Sequence, residues 1–300
     1  MTSENYKEKT EEIRKMIYVV GSLNMDLCIE SPYMPKAGET ITGSGFITNG
    51  GGKGANQAIA AAKLGGNVAM CGAVGDDLFG ERLIKNLSEA GADVSHIKKC
   101  DDASTGIAVI VITDGNNRII LDKGANALLS ENDIREFLKN AKKGDVYLTQ
   151  LENPVDVIGY GLKHAKEKGM FTILNPAPAN KEIIPYLCYC DLITPNESET
   201  ELLGGEDFLL EKTEIILKTL GGDGFEIIGK DGRKRYPCMK IQPVDTTAAG
   251  DTLCGGLAAQ LSKGKSIEEA ALFGSKAATI ACTKKGAQQS IPSYEEVIDY

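Results

Sequence analysis

Asp251 is the residue on which a chemical reading of the chain turns. It ends the stretch Val244-Asp245-Thr246-Thr247-Ala248-Ala249-Gly250-Asp251, where three small residues precede a run of helix-forming composition, TLCGGLAAQL. The first N–H groups of a helix lack intrahelical partners and lie at the positive end of its dipole, so such a start suits an anion. Small side chains let a phosphate approach that backbone. A carboxylate in such a place is repelled by the anion unless it serves the chemistry. The natural role is to take a proton from a hydroxyl that attacks the anion. Asp is equally a favoured helix cap, and this stretch alone leaves both readings open.

A glycine run supplies a second cluster. Gly50-Gly51-Gly52-Lys53-Gly54-Ala55-Asn56-Gln57 opens an Ala-rich helix that stops at glycine. It is no nucleoside-triphosphate P-loop, because G-x-x-x-x-G-K-[ST] requires Gly at 47 and Ser or Thr at 54, where the chain has Ile47 and Gly54. Consecutive glycines let backbone come close to a ligand, which Asn56 would also face; a plain structural turn is the competing reading. Further polar residues end apolar runs: Asn24 and Asp26, Glu152, Asn175, and Asn196 with Glu199. Open α/β sheets bind ligands at the C-terminal ends of their strands. For Asn24 and Asp26 an Asx turn that merely closes a strand is the alternative.

The chain has 300 residues, 42% apolar and 25% charged, enough for one large α/β domain or two smaller ones. A net charge of −9 argues against a nucleic acid or an anionic membrane as partner. An anionic substrate would have to be held by local donors, lysines and metal ions. The eight cysteines are scattered, mostly in apolar runs, and Cys188 with Cys190 has no second pair at zinc-ligand spacing. They read as reduced, mostly buried thiols of a cytoplasmic protein. Two histidines, His96 and His164, argue against a His-rich metal site or a Ser-His-Asp triad. Residues 1–15 form a charged extension without a signal-peptide core, and no apolar run is long enough to cross a membrane.

The elements that must position these residues alternate. MIYVVGSL and NVAMCGAV read as buried parallel strands, and DDLFGERLIKNLSEAG as an amphipathic helix. DVYLTQLE and MFTILNPAPA read as strands separated by a helix near residues 154–168. TEIILKTL and FEIIG read as strands joined through Gly221, Gly222 and Gly224, and RKRYPCMK as an edge strand. Ser130 starts a helix, and Ser266 with Glu269 and Ser293 with Glu296 have capping-box spacing. The alternation predicts an α/β fold with a mostly parallel central sheet and helices on both faces. Residues of about 26–50 and 101–123 are β-rich and lack helices, with a hairpin at Asp114-Gly115. They predict a separate small β-sheet flap.

Two long segments resemble signatures of the ribokinase-type carbohydrate kinase family: NGGGKGANQAIAAAKLGGNVAMCGAVGDDLFG and VDTTAAGDTLCGGLAA. NMD at 24–26, PKAGET at 35–40, QLENP at 150–154, LNPAPA at 174–179, TPNESE at 194–199 and TKKGAQQSIP at 283–292 extend the likeness, in order, over nearly the whole chain after residue 16. The resemblance implies a ribokinase-like fold over 16–300, with a β lid that commonly forms a homodimer contact. It implies transfer of the γ-phosphoryl of ATP to the 5-hydroxyl of D-ribose. Deoxyribose, another pentose or a nucleoside as acceptor, or a sugar-binding protein without catalysis, are the alternatives. Asn24, Asp26, Gly52, Lys53, Gly54, Asn56 and Glu152 would line the sugar pocket. Asp251 would be the general base, with Ala248, Ala249 and Gly250 as an anion hole. Asn196, Thr219, Gly221, Gly224, Gly250 and Ser275 would surround ATP, and Glu199 would organise Mg2+ through water. Asp245, Thr247, Ala281, Lys284, Gly286 and Ser290 would supply oxygens, mostly carbonyls, to K+. Two departures stand out. Leu253-Cys254-Gly255 replaces the usual Phe-Asn-Gly, and the interval 196–245 is shorter than in the family by a helix, which predicts a poorly covered sheet face beside the nucleotide.

Overall fold

The computed structural model describes residues 15–114 and 116–300. All of the charged extension but Lys15, and Gly115 of the expected hairpin, lie outside the described residues. Strands β1 (Met16–Val20), β2 (Asn24–Glu30) and β3 (Ser44–Gly51) lead to helix α1 (Lys53–Lys63). Then come β4 (Asn67–Gly75), α2 (Leu78–Glu89), β5 (Asp93–Cys100), β6 (Gly106–Thr113) and β7 (Asn116–Asp122). Next are α3 (Glu131–Phe137), β8 (Val146–Thr149), α4 (Val155–Glu167), β9 (Phe171–Leu174), β10 (Leu192–Ile193), α5 (Glu197–Leu202) and α6 (Glu206–Leu210). The chain ends with β11 (Ile215–Thr219), β12 (Phe225–Gly229), β13 (Gly232–Tyr236), α7 (Ala249–Leu261), α8 (Ile267–Ala281) and α9 (Tyr294–Asp299).

The main sheet has the order β13-β12-β11-β10-β9-β8-β1-β4-β5. Its pairings are parallel except β11–β12 and β12–β13, which are antiparallel because β12 alone is reversed. Successive side chains of a strand point to opposite faces, so β1 feeds two cores. Ile17 and Val19 join the cluster under α1, α7 and α8, while Tyr18 and Val20 join the one under α3 and α4. The α/β architecture read from the alternation is the one observed. The capping boxes at Ser130, Ser266 and Ser293 are formed. The chain runs from β1 to β4 on one side and later places β8 on the other. That reversal opens a crevice beyond the C-terminal ends of β1 and β8, the usual ligand site of such sheets.

The second sheet has the order β3-β2-β6-β7. Its central pair β2–β6 is parallel and the outer pairs are antiparallel. Because β2 follows β1 after only Gly21-Ser22-Leu23, this sheet grows directly from the edge of the crevice. It carries exposed apolar side chains: Phe46, Ile47, Ile119, Ile120 and Leu121.

The face expected to be bare is covered. Leu203 and Leu209, from the short α5–α6 segment, lie in one apolar cluster with Ile216 and Ile228, all of them buried. Farther along the same face, Lys218 and Glu226 are cross-strand partners and bond at 3.2 Å. Glu206 at the start of α6 contacts Lys218 and Arg233, and Arg233 reaches Glu226 at 3.2 Å. One helical turn suffices for the single apolar pair, and ion pairs occupy the rest.

Candidate active site

Close backbone contact builds the side of the crevice where the resemblance places a sugar. A Cβ on Gly54 would lie 2.5–2.6 Å from the backbone of Gly21 and Ser22, so the start of α1 can rest directly on the end of β1 only because both are glycine. Gly54 is therefore a packing residue. The contact brings Ser22, Asn24 and Lys53 to Glu152, whose Oε2 accepts from Ser22 Oγ, from Lys53 N at 3.1 Å and from Asn24 Nδ2 at 3.4 Å. Asn126 fixes Asn24 in turn, donating to its Oδ1 at 2.8 Å and accepting from Leu23 N at 2.9 Å. Asp26 follows on β2 and uses the space left by the missing side chain of Gly51. Burial, then the charges of Glu152 and Asp251, raise its carboxyl to about 7.

Asp251 lies in the first turn of α7, buried at 6% exposure. Its Oδ2 accepts from Asn56 Nδ2 at 3.0 Å and its Oδ1 from Gln57 Nε2 at 2.9 Å, both from α1. Ala248 enters the helix at φ 60°, in the left-handed region. The N–H of Ala249 is engaged by the carbonyl of Thr246 at 3.2 Å. Among the described residues those of Ala248, Gly250 and Asp251 take no carbonyl, so of the expected donors Ala249 alone is already engaged. Attraction by Asp251 raises the Lys53 ammonium above its usual value; burial opposes this, and Glu152 and Glu199 reinforce it. A charged lysine thus stands among three carboxylates.

Two cavities adjoin here. The smaller, about 220 Å³, is lined by Lys53, Asn196, Glu199, Asp251 and Cys254 among others. The larger, about 300 Å³, is lined by Gly221, Gly224, Leu253, Ser275 and Cys282 among others. Thr219, Thr246, Ala249 and Gly250 stand on the walls of both. The two unusual residues of the second signature face these spaces, Leu253 the larger and Cys254 the smaller. Burial pushes the Cys254 thiol up to about 12, so it is a neutral wall beside Thr194 Oγ1 at 3.3 Å. Asn196 and Glu199 also hold the local structure together as a capping box, Glu199 N donating to Asn196 Oδ1 at 2.8 Å and Asn196 N to Glu199 Oε2 at 2.9 Å. Burial raises the Glu199 carboxyl, against the Asn196 N–H and Lys53.

The two segments expected to cage a cation are clasped together. Asp245 Oδ1 accepts from Thr247 N at 2.9 Å and Thr247 Oγ1 at 2.6 Å, and its Oδ2 accepts from Gly286 N at 2.9 Å. The carbonyl of Cys282 accepts from Val244 N at 2.8 Å. Burial would raise the Asp245 carboxyl, but the bonds from Thr247 and Gly286 outweigh it and hold it low. Around them Ala281 O accepts from Lys284 N at 3.0 Å, Lys284 Nζ pairs with Glu296, and the buried Ser290 Oγ donates to Ala287 O at 2.8 Å. Among the described residues no three His, Cys, Asp or Glu side chains are grouped to hold a metal ion.

The sequence pattern of the pfkB family carbohydrate kinases matches residues 14–294. The chain belongs to the pfkB family of carbohydrate kinases. A ribokinase of Haemophilus influenzae is 39% identical, over 96% of this chain and 99% of the relative. A deoxyribokinase of Salmonella typhi is 35% identical, over 95% and 98%. The structure of an Arabidopsis thaliana ribokinase complexed with ribose and ATP superposes with a TM-score of 0.84 at 30% identity, covering 95% of this chain and 98% of that one. In this kinase, reading by residue type missed Ser22, Gln57, Asn126 and Gln150. Gln57 and Gln150 carried a signal, the first from its place in the glycine-run signature beside Asn56 and the second as the start of QLENP.

Proposed function

We propose that this kinase transfers the γ-phosphoryl of ATP to the 5-hydroxyl of D-ribose, with Asp251 as the general base. One observation carries the reading: a buried carboxylate, fixed by two amide donors, lies between a cluster of sugar-type hydrogen-bonding groups and two adjoining cavities. The sugar would lie against Asn24, Asp26, Asn56 and Glu152, with its primary hydroxyl at Asp251. ATP would run from the larger cavity into the smaller, past Asn196, Thr219, Gly221, Gly224 and Ser275. The backbone donors of Gly250 and Asp251 and the charge of Lys53 would meet the phosphoryl as negative charge builds on it.

Magnesium suits this setting, because the ion keeps most of its waters and needs only one or two carboxylates beside the phosphates; Glu199 on the cavity wall supplies one. Bound with ATP, it would neutralise phosphate charge. For potassium, the clasp of Asp245 on Gly286 supports a site, since it holds a carboxylate, a hard oxygen donor, against the loop that follows α8 and directly before the proposed anion hole. The exposed apolar side chains of the lid support a homodimer through that sheet.

Deoxyribose is the second reading, favoured by the deoxyribokinase relative. The test is ATP-dependent phosphorylation across ribose, deoxyribose, other pentoses and nucleosides. Ribose should give the highest kcat/KM, and another acceptor exceeding it overturns the assignment. Thermal shifts with ribose and with an ATP analogue give a separate check: a non-catalytic sugar binder responds to the sugar alone.

A further inference from the structure

Gln57 has no exposed surface, and both N–H directions and one lone pair of its amide are engaged. Its Nε2 donates to Asp251 Oδ1 at 2.9 Å and to Asn175 Oδ1 at 3.2 Å, and its Oε1 accepts from Gln150 Nε2 at 2.7 Å. Asn175 Nδ2 donates to the backbone carbonyl of Thr194 at 3.0 Å. A carbonyl can only accept, so Asn175 must turn its NH2 to Thr194 and its oxygen to Gln57. Gln57 must then turn its NH2 to Asn175, and the second hydrogen of that NH2 points at Asp251. Turned over, its oxygen would face two acceptors. Gln150 closes the other side, reaching its place because residue 21 is glycine: a Cβ there would overlap the Gln150 amide.

We infer that Gln57 is a positioning residue for phosphoryl transfer. With Asn56 on Oδ2 and Gln57 on Oδ1, the Asp251 carboxylate cannot rotate about its Cβ–Cγ bond. Each oxygen keeps one free lone pair in a fixed direction, and one of these would face the attacking hydroxyl. The direction originates at the backbone carbonyl of Thr194, the residue after β10, and Asn175 and Gln57 transmit it. The inference rests on Asp251 being the base.

Misplacing a reacting group by about 1 Å can lower the rate roughly 100-fold. Gln57→Met, similar in volume and without hydrogen bonds at these positions, should lower kcat about 10- to 100-fold. KM for sugar and for ATP should stay within a few-fold, because Gln57 touches neither. A residue that only packs would change the folded fraction and leave kcat per folded molecule alone. Gln150→Met removes only the outer support and should show the same pattern at smaller size. It replaces the first variant should that one fail to fold. Wild-type kcat in folded Gln57→Met, or in Gln150→Met as its replacement, overturns the inference. Asp251→Asn separates the two ideas. Unchanged turnover there removes the base itself, whereas an inactive Asp251→Asn beside a fully active Gln57→Met removes only the positioning role.

Discussion

The two sides of the crevice are made differently. On the side proposed for the sugar, side chains from α1, β2, the loop after β8 and α7 converge in a buried net of amides and carboxylates. On the side proposed for the nucleotide, the walls are glycine backbone, a helix N-terminus and apolar or thiol surface with a few hydroxyls and Lys240, and the strands behind them are held partly by ion pairs. Directional bonds among fixed groups discriminate between hydroxyl patterns, because a mismatched acceptor leaves a buried polar group unpaired. Backbone donors and an apolar wall suit the constant parts of a nucleotide. Each property should therefore reside in its own place: acceptor choice in the net, phosphoryl chemistry at its seam, softness in the strands beyond.

The sharpest way to break that division is at the seam. Asp251→Asn should keep the fold and lower kcat by about 10²–10⁴; turnover close to wild type in purified protein would end the assignment. Next comes the net. Asp26→Ala should raise the sugar KM roughly 10- to 100-fold, from about 1.5–3 kcal/mol per charged hydrogen bond lost, and leave the ATP KM nearly unchanged. Equal losses for both substrates would contradict the division. A smaller effect is expected from the cation loops. Turnover should rise with K+ and fall when Na+ replaces it, and equal rates in K+, Na+ and a bulky organic cation would take the ion out of the mechanism.

Asp26 also gives a test through stability. Its carboxyl titrates at about 7 in the folded chain and at the ordinary aspartate value of 3.8 when unfolded. The folded form therefore binds the proton more tightly. The stabilisation is complete below the unfolded value and is lost as pH rises toward and through 7. Asp26→Asn removes that loss, so its Tm relative to wild type should improve from about pH 4 to about pH 8; a difference independent of pH would refute the shift. The smallest effect concerns the edge strands. The ion pair of Lys218 with Glu226 is largely buried, and its desolvation cost offsets much of its attraction, so hydrogen exchange without nucleotide should be faster in β11–β13 than in β1, β4 and β8. Even protection across the sheet would count against it.

What the sequence makes legible follows from how local each signal is. β1 and β4 show as apolar runs, and the capping boxes of α3, α8 and α9 as a serine three residues before an acid. The same spacing at Asn196 and Glu199 is easily passed over when both are read as ligands. β5 escapes the pattern because most of its side chains are solvent-exposed or partly so, leaving a charged string, SHIKK. Gln57 escapes for another reason: its partners lie 93, 118 and 194 residues away, and no local pattern contains them. The ion-pair cover on β11 and β12 is of the same kind, since a shortened interval shows what is lost and not what replaces it.

The parallel pairing of β2 with β6 has a consequence for how the molecule assembles. Asn24 pairs with Gly106, about eighty residues along the chain, and the strands β3, β4 and β5 and the helices α1 and α2 all form in between. The loop-closure entropy of that pairing must be met before its hydrogen bonds return anything, and such distant contacts form slowly. The lid is thus expected to be absent from the folding nucleus, completed after the strands beneath it. Substitutions on it should then accelerate unfolding and leave the refolding rate almost untouched.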